Sequence, residues 1–219
     1  MDEDTWKLEC CGGPEGCRLS VGQSGALKGR LADIIRRSGW AEMRASRHSL
    51  PLRAHQKLRV SLADCPNACS QPQIRDIGII AEKVPGTVTD ACTGCGKCVS
   101  DACREGALYM DSGRAVFEPD LCVGCGLCIA RCPADAIPTK GRRYRLLTGG
   151  KLGRHPRLAQ QVARGLTEEE VCEATRRLLA LIVERIGPSE RVGDLLERID
   201  EDVRAEVVPD EGDRAHTDE

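Results

Sequence analysis

The sequence predicts an α+β fold interrupted by a cysteine-rich module, on three observations. Apolar residues recur at helical spacing at Leu27, Leu31, Ile34 and Ile35, and again at Val171, Ala174, Leu178 and Ile182. Strand-like stretches occupy 57–63, 75–84 and 143–148. Between the last two lie Cys92-Thr93-Gly94-Cys95-Gly96-Lys97-Cys98 with Cys103, then Cys122-Val123-Gly124-Cys125-Gly126-Leu127-Cys128 with Cys132-Pro133. One strand runs out just before this segment and another returns just after it. The expected organisation is therefore a discontinuous host, 1–85 plus 140–205, an inserted module over 86–139, and an acidic, disordered tail over 206–219.

The chain has 219 residues, of which only 2% are aromatic, so part of its cohesion must come from something other than side-chain packing. Its 14 cysteines are spaced for metal rather than for disulfides. Met1-Asp2-Glu3-Asp4 is acidic where a secretory leader needs positive charge. The longest apolar run, Leu178 to Val183, is too short to span a membrane. A cytoplasmic protein in a reducing, low-oxygen setting is expected. The net charge is −2 but unevenly spread: residues 28–59 hold nine Lys or Arg against two acids, and 140–157 hold seven and no acid. Such stretches suit an anionic substrate or an acidic cofactor. Nucleic acid is not expected as a partner, because no aromatic platform or recognised binding motif accompanies the charge.

A four-iron cubane needs four thiolates, and a tight loop punctuated by Gly94 or Gly124 presents three of them when every third residue is Cys. Two triplets and two outlying cysteines fit tetrahedral zinc poorly. Residues 86–139 resemble bacterial-type two-cluster ferredoxins, in which the distal cysteine of each run serves the other cluster. That implies one [4Fe–4S] cluster on Cys92, Cys95, Cys98 and Cys132, and a second on Cys122, Cys125, Cys128 and Cys103. One departure stands out. Four residues separate Cys98 from Cys103, followed by Arg104, where the family has three and then Pro; a bulge is expected to absorb the extra residue.

From the N-terminus, Cys11-Gly12-Gly13-Pro14-Glu15-Gly16-Cys17 is a C-x5-C loop able to wrap closely around an inorganic centre. Ser24 is placed to cap the first helix and Gly39 to stop it. Residues 40–56 read as irregular and basic, and 57–63 as a half-buried strand ending in Asp64-Cys65-Pro66-Asn67-Ala68-Cys69. Cys11, Cys17, Cys65 and Cys69 supply four further thiolates, enough for a third cubane. Cys10 and Cys172 complete no motif. After the module, Tyr144 to Thr148 returns as a strand into Gly149-Gly150-Lys151-Leu152-Gly153-Arg154-His155-Pro156-Arg157. Thr167-Glu168-Glu169-Glu170 is a capping box opening the helix that Gly187-Pro188 ends, and Val192, Leu195, Leu196 and Ile199 mark a shorter one.

The C-x5-C loop, the C-P-N-x-C turn, the following Gln71 to Ile80 and the G-G-K-x-G-R-H-P-R turn are similar to the iron–sulfur half of siroheme-dependent sulfite and nitrite reductases, small dissimilatory sulfite reductase-like proteins included. The resemblance implies a mixed sheet with flanking helices, siroheme beside three [4Fe–4S] clusters, and Cys69 as the bridge from cluster to siroheme iron. It implies contacts to siroheme carboxylates from Lys151, Arg154, His155 and Arg157. It also implies six-electron reduction of a small oxyanion, sulfite or nitrite, fed by an external low-potential donor. Arg44, Arg47, His48, Arg53, Lys151, Arg154, His155 and Arg157 form the basic pool for substrate contacts. Family members carry a further lobe before the C-x5-C loop, whereas only ten residues precede Cys11 here. A homo-oligomer or a partner subunit is thus expected to complete the site. An electron-transfer subunit that reduces nothing itself is the alternative.

Overall fold

The computed structural model describes residues 2–22 and 24–207, so most of the predicted acidic tail lies outside the described residues. A five-stranded mixed sheet organises the fold. β1 (Trp6–Cys10), β2 (Leu58–Ala63) and β3 (Ile77–Pro85) run parallel, and β6 (Thr139–Thr148) and β7 (Gln160–Leu166) complete the order β1-β2-β3-β6-β7 by antiparallel pairing. β4 (Leu108–Asp111) and β5 (Arg114–Phe117) form a separate hairpin between β3 and β6.

Strand alternation explains how the two faces of the sheet differ. Leu58, Val60, Leu62, Ile77, Ile79, Ala81, Tyr144 and Leu146 share one buried cluster with the helices. These are α2 (Gly25–Arg36), α3 (Trp40–Arg47), α5 (Glu168–Arg185), α6 (Val192–Arg198) and α7 (Asp200–Val207); α1 (Asp2–Thr5) leads into β1. The other face carries Ala63, Ile80 and Leu147, over which Ala68 packs from the β2–β3 crossover. Small residues are required there: a Cβ on Gly78 would stand 2.9 Å from Cβ of Pro72 in the crossover.

Two expectations for the host are corrected. The stretch 40–56 is not irregular throughout, since α3 occupies 40–47 and buries Trp40 and Ala41. Its basic residues obscured a short amphipathic helix. Strand β2 is buried on both faces rather than half-buried, because β1 and β3 flank it and the crossover covers its second side. Ser61 is fully buried there and its hydroxyl donates to the Ser70 carbonyl at 2.9 Å.

The capping box forms as read: Thr167 Oγ1 accepts from the Glu170 N–H at 3.2 Å, and Glu170 returns the bond to Thr167 N–H at 2.6 Å. Ser24 occupies the N-cap of α2 without using its hydroxyl as a cap; its N–H donates to the Asp64 carboxylate at 2.9 Å instead.

The segment between β3 and β6 has its own apolar cluster, built from Val88, Cys98, Ala102, Leu108, Ala115, Cys128, Ala136 and Ile137. Its core is small, and cysteines supply much of its lining. The extra residue after Cys98 is absorbed by a π-helical turn over Cys98–Ala102, closed by Cys103 N–H donating to Cys98 O at 3.0 Å. The second run continues into α4 (Leu127–Arg131), an ordinary α turn before Cys132.

Candidate metal centres

The parallel strands end on the same side of the sheet, which brings their cysteine-bearing loops together. Cys11 follows β1, Cys65 follows β2, and the cysteine-rich module follows β3. Cys11 N–H donates to Leu62 O at 3.2 Å, and Asp64 N–H donates to Cys11 Sγ at 3.2 Å. Asp64 is completely buried and clamps the C-x5-C loop: Ser20 Oγ and Ser24 N–H donate to its carboxylate, while Val21 and Gly22 N–H donate to its carbonyl. Gly13 leaves no room for a Cβ against the Asp64 side chain. The loop thus stands over Cys65 and Cys69. Burial raises the Cys65 thiol, and the Cys11, Cys69 and Cys17 sulfurs lie close enough to raise it further. Cys17 and Cys69 are exposed; Asn67 Nδ2 lies 3.1 Å from Cys69 Sγ.

In the module two buried thiols, Cys98 and Cys128, each feel three others. Burial raises the Cys98 thiol, and Cys132, Cys92 and Cys95 add to the rise. Burial pushes Cys128 up to about 12, with Cys125, Cys122 and Cys103 contributing. Cys98 and Cys128 are thus each influenced by the other two thiols of their own run and by the distal cysteine of the other. A cavity beside the first group is lined by Cys92, Cys95, Cys98 and Cys132. Backbone donors already point at the sulfurs. Ala115 and Gly94 N–H bonds hold Cys92 below the usual thiol range, Gly124 N–H reaches Cys122 Sγ at 3.3 Å, and Ala136 N–H reaches Cys132 Sγ at 3.3 Å. Such bonds stabilise thiolates and tune iron–sulfur clusters. Gly94, Gly96, Gly124 and Gly126 all have φ near +70°, and that conformation wraps the backbone around each triplet. Among the described residues no group of three or more His, Cys, Asp or Glu converges as ligands of a single ion. A cubane holds its thiolates on a wider frame than one zinc does.

The basic candidates separate. Arg44 is buried under Trp40, 4.6 Å from the ring centroid, and donates to Glu190 O at 3.0 Å. Arg47 donates to Ile186 O at 2.8 Å, capping the C-terminus of α5. Both lie at the N-terminal ends of the parallel strands, where Trp40 Nε1 donates to Thr5 O at 2.9 Å, away from the cysteines. The 149–157 loop begins at this same end, Thr148 pairing with Ile77 at the start of β3, so what sets Arg44 and Arg47 apart is that carbonyls already take up their guanidiniums. Arg53 is exposed on the same side, and His48 sits between Arg44 and Gln56.

The 149–157 loop is closed by paired bonds between Lys151 and Arg157, each 2.9 Å, and anchored by Gly149 and Gly150 N–H on Asp76 O and Arg75 O. Gly150 has no room for a Cβ, which would stand 2.7 Å from Arg75 O. Lys151 is paired with Asp194 and Glu197, and Arg157 with Glu197 at 3.4 Å; Arg154 and His155 are exposed. Just beyond the loop, Ala159 N–H donates at 2.7 Å to Gln73 O, four residues past Cys69. Cys10 and Cys172 stay outside every group, and burial pushes Cys10 up to about 11.

A family model described as the nitrite and sulphite reductase 4Fe-4S domain matches residues 46–214. The chain belongs to this family. The match begins after Cys11 and Cys17 and takes in the eight module cysteines with Cys65 and Cys69. The chain is 35% identical over 101 residues to the coenzyme F420-dependent sulfite reductase of Methanocaldococcus jannaschii, a match covering 46% of this chain and 16% of that protein. It is 32% identical over 135 residues to a subunit of the anaerobic sulfite reductase of Salmonella typhimurium, covering 59% of this chain and 40% of that one. The chain thus spans well under half the length of these nitrite and sulphite reductase relatives. Two solved structures share the fold at 17% identity, each aligned over 90% of this chain. Dissimilatory sulfite reductase I does so with a TM-score of 0.60 over 50% of its length, and Mycobacterium tuberculosis NirA with 0.52 over 26%. The mixed sheet with flanking helices is therefore the family's fold. Among the described residues no helix is long and apolar enough to cross a membrane.

The cluster of Glu82 with Arg145 and Arg164, which donate to its two carboxylate oxygens, escaped sequence reasoning. A charged residue in a strand reads as solvent-facing; the available signal was that Glu82, followed by Lys83, interrupts the apolar run Ile77 to Ala81 of β3.

Proposed function

We propose that the chain is the cluster- and siroheme-binding part of a sulfite- or nitrite-reducing oxidoreductase, sulfite favoured, loaded with three [4Fe–4S] clusters. The observation that supports this reading is that Cys65, Cys98 and Cys128 each feel three other thiols, which with them make up the three expected sets, on loops that follow the parallel strands. The residues fit cubanes: thiols at loop tips, glycines at positive φ and N–H donors aimed at sulfur. The exposed Cys69 suits a bridge to a tetrapyrrole iron, beside a sheet face of apolar residues. When bound, siroheme coupled to a cluster would supply the multi-electron reduction of the oxyanion.

The chain's own residues then have distinct tasks. Asp64 fixes the C-x5-C loop over Cys65 and Cys69, which orients the bridging sulfur. Arg154 and His155, exposed on the 149–157 loop, are free to meet cofactor carboxylates or the anion. Lys151 and Arg157 would first have to leave Asp194 and Glu197. Residues 86–139 act as a two-cluster ferredoxin-like domain that receives electrons from an external low-potential donor. A second subunit, or a second copy of the chain, completes the pocket in the cytoplasm.

The test is an absorption spectrum of protein made in cells that synthesise siroheme. An intense Soret band with a weaker red band is expected, and Cys69→Ser should disturb both these bands and the third cluster. Cys95→Ser should leave the heme bands alone. Three clusters without any tetrapyrrole would overturn catalysis and favour the second reading, an electron-transfer subunit. That reading is favoured by the Salmonella relative, itself one subunit of a reductase, and by the internal pairing of Lys151 and Arg157.

A further inference from the structure

Glu82 on β3 has no exposed surface, an unusual place for a carboxylate. Two guanidiniums meet it. Arg145 of β6 donates through Nε to Oε1 at 2.8 Å and again through Nη2, and Arg164 of β7 donates through Nε to Oε2 at 3.0 Å. Both arginines then reach beyond the sheet into the second cysteine run: Arg145 Nη2 donates to Val123 O at 3.3 Å, and Arg164 Nη2 donates to Cys122 O. Lys83 N–H donates to Gly124 O at 2.8 Å, and Lys83 bridges to Cys125. The second run is thereby stitched to three strands of the sheet. The cavity at the first group, by contrast, is lined entirely by module residues such as Met110, Ala115 and Ile137.

Within this trio one carboxylate and two guanidiniums leave one net positive charge, partly withdrawn from water, against the Cys122 backbone. Positive charge favours the more negative, reduced form of a cluster, and local charge is one of the terms that set cluster potentials. Its effect is larger where screening by water is reduced. We propose that Arg164 and Arg145, held by Glu82, are positioning residues that make the second cysteine set the more readily reduced of the module's two. One electron given up by a cluster on the first set is then the one gained on the second, at the end joined to the sheet. The external donor re-reduces the first. This inference rests on the two-cluster reading of the module.

The experiment is an anaerobic redox titration, followed by electron paramagnetic resonance, of the full chain reconstituted with ferrous iron and sulfide. Arg164→Gln is expected to lower the midpoint of a single wave by roughly a tenfold shift in its reduction equilibrium, about 59 mV for one electron. The other waves should stay in place. Arg164→Lys keeps the charge and should restore most of the shift, which a purely structural role would not require. The proposal is overturned if no wave moves, if all move together, or if Lys falls as far as Gln. Should Arg164→Gln lose iron, Arg145→Gln is read in its place: a lowered single wave is expected, and an unmoved wave or lost iron there overturns the proposal. A wild-type module that takes up no cluster would instead overturn the two-cluster reading, a result distinct from a cluster whose wave stays put.

Discussion

The Cys92–Cys98 and Cys122–Cys128 runs wind in the same way and lean on different things. Gly94 and Gly96 have φ of +69° and +70°, and Gly124 and Gly126 have +73° and +67°, so both loops turn through the left-handed region at matching positions. Beyond that the runs diverge. The first continues into a π turn, and its Gly94 abuts the carbonyl of Gly113 in the module's own hairpin. The second continues into α4, and its Gly124 abuts Glu82 of the sheet. Presenting three thiols fixes the loop; what stands behind the loop decides whether a site belongs to the module or to the host.

The largest effect expected at the joint between module and sheet is at Gly124. Alanine there places Cβ 2.8 Å from Glu82 Cβ, on a strand that cannot yield. Backbone strain of about 1–2 kcal/mol is joined by overpacking of roughly 1–3 kcal/mol. Gly124→Ala should lose about four iron atoms per chain, one cubane's worth. At Gly96 nothing lies within 4 Å of a new Cβ, so Gly96→Ala should bear the backbone strain alone and keep its iron. Parallel iron assays and melting curves on the two variants make the comparison; equal losses would refute it.

Next in size is the ion cluster itself. Glu82→Gln leaves two guanidiniums without their carboxylate, and removing one partner of a buried ion pair costs about 3–5 kcal/mol. Because Arg145 and Arg164 keep 21% and 33% of their side chains exposed, the low end, near 3 kcal/mol, is expected. Arg114, on the first-run side, pairs at 2.8 Å with an Asp90 that is 98% exposed. Arg114→Ala should therefore cost under about 1 kcal/mol through that pair. Denaturant unfolding of both variants measures the contrast. Smaller still is the effect of deleting Ser100. The π turn would relax to an α turn like that before Cys132, and all iron should be retained, as metal analysis will check.

The cysteine runs stood out because a cubane dictates cysteine spacing directly, and Thr167 with Glu170 was legible because capping is local. The extra residue before Cys103 was visible, but its accommodation as a π turn depends on Val99 and Ala102 packing inside the module. β1 went unread because Lys7 and Glu9 give a short edge strand a polar look, although Trp6 anchors it in the core. β7 begins with Gln160 and Gln161 and ends near Gly165, again the signature of a loop rather than of an edge strand. Charge also disguised α3 and Glu82, whose partners come from distant parts of the chain. Lys151 and Arg157 were read as cofactor contacts, and no local signal shows that Asp194 and Glu197 on α6 face them.

The central claim, three four-thiol sets each built for a cubane, is tested most directly by counting iron and labile sulfide in anaerobically purified protein. Three cubanes require about twelve of each per chain, four for every cubane. A value near eight would remove the set on Cys11, Cys17, Cys65 and Cys69 and with it the reductase reading, and stoichiometric zinc would contradict the account as a whole.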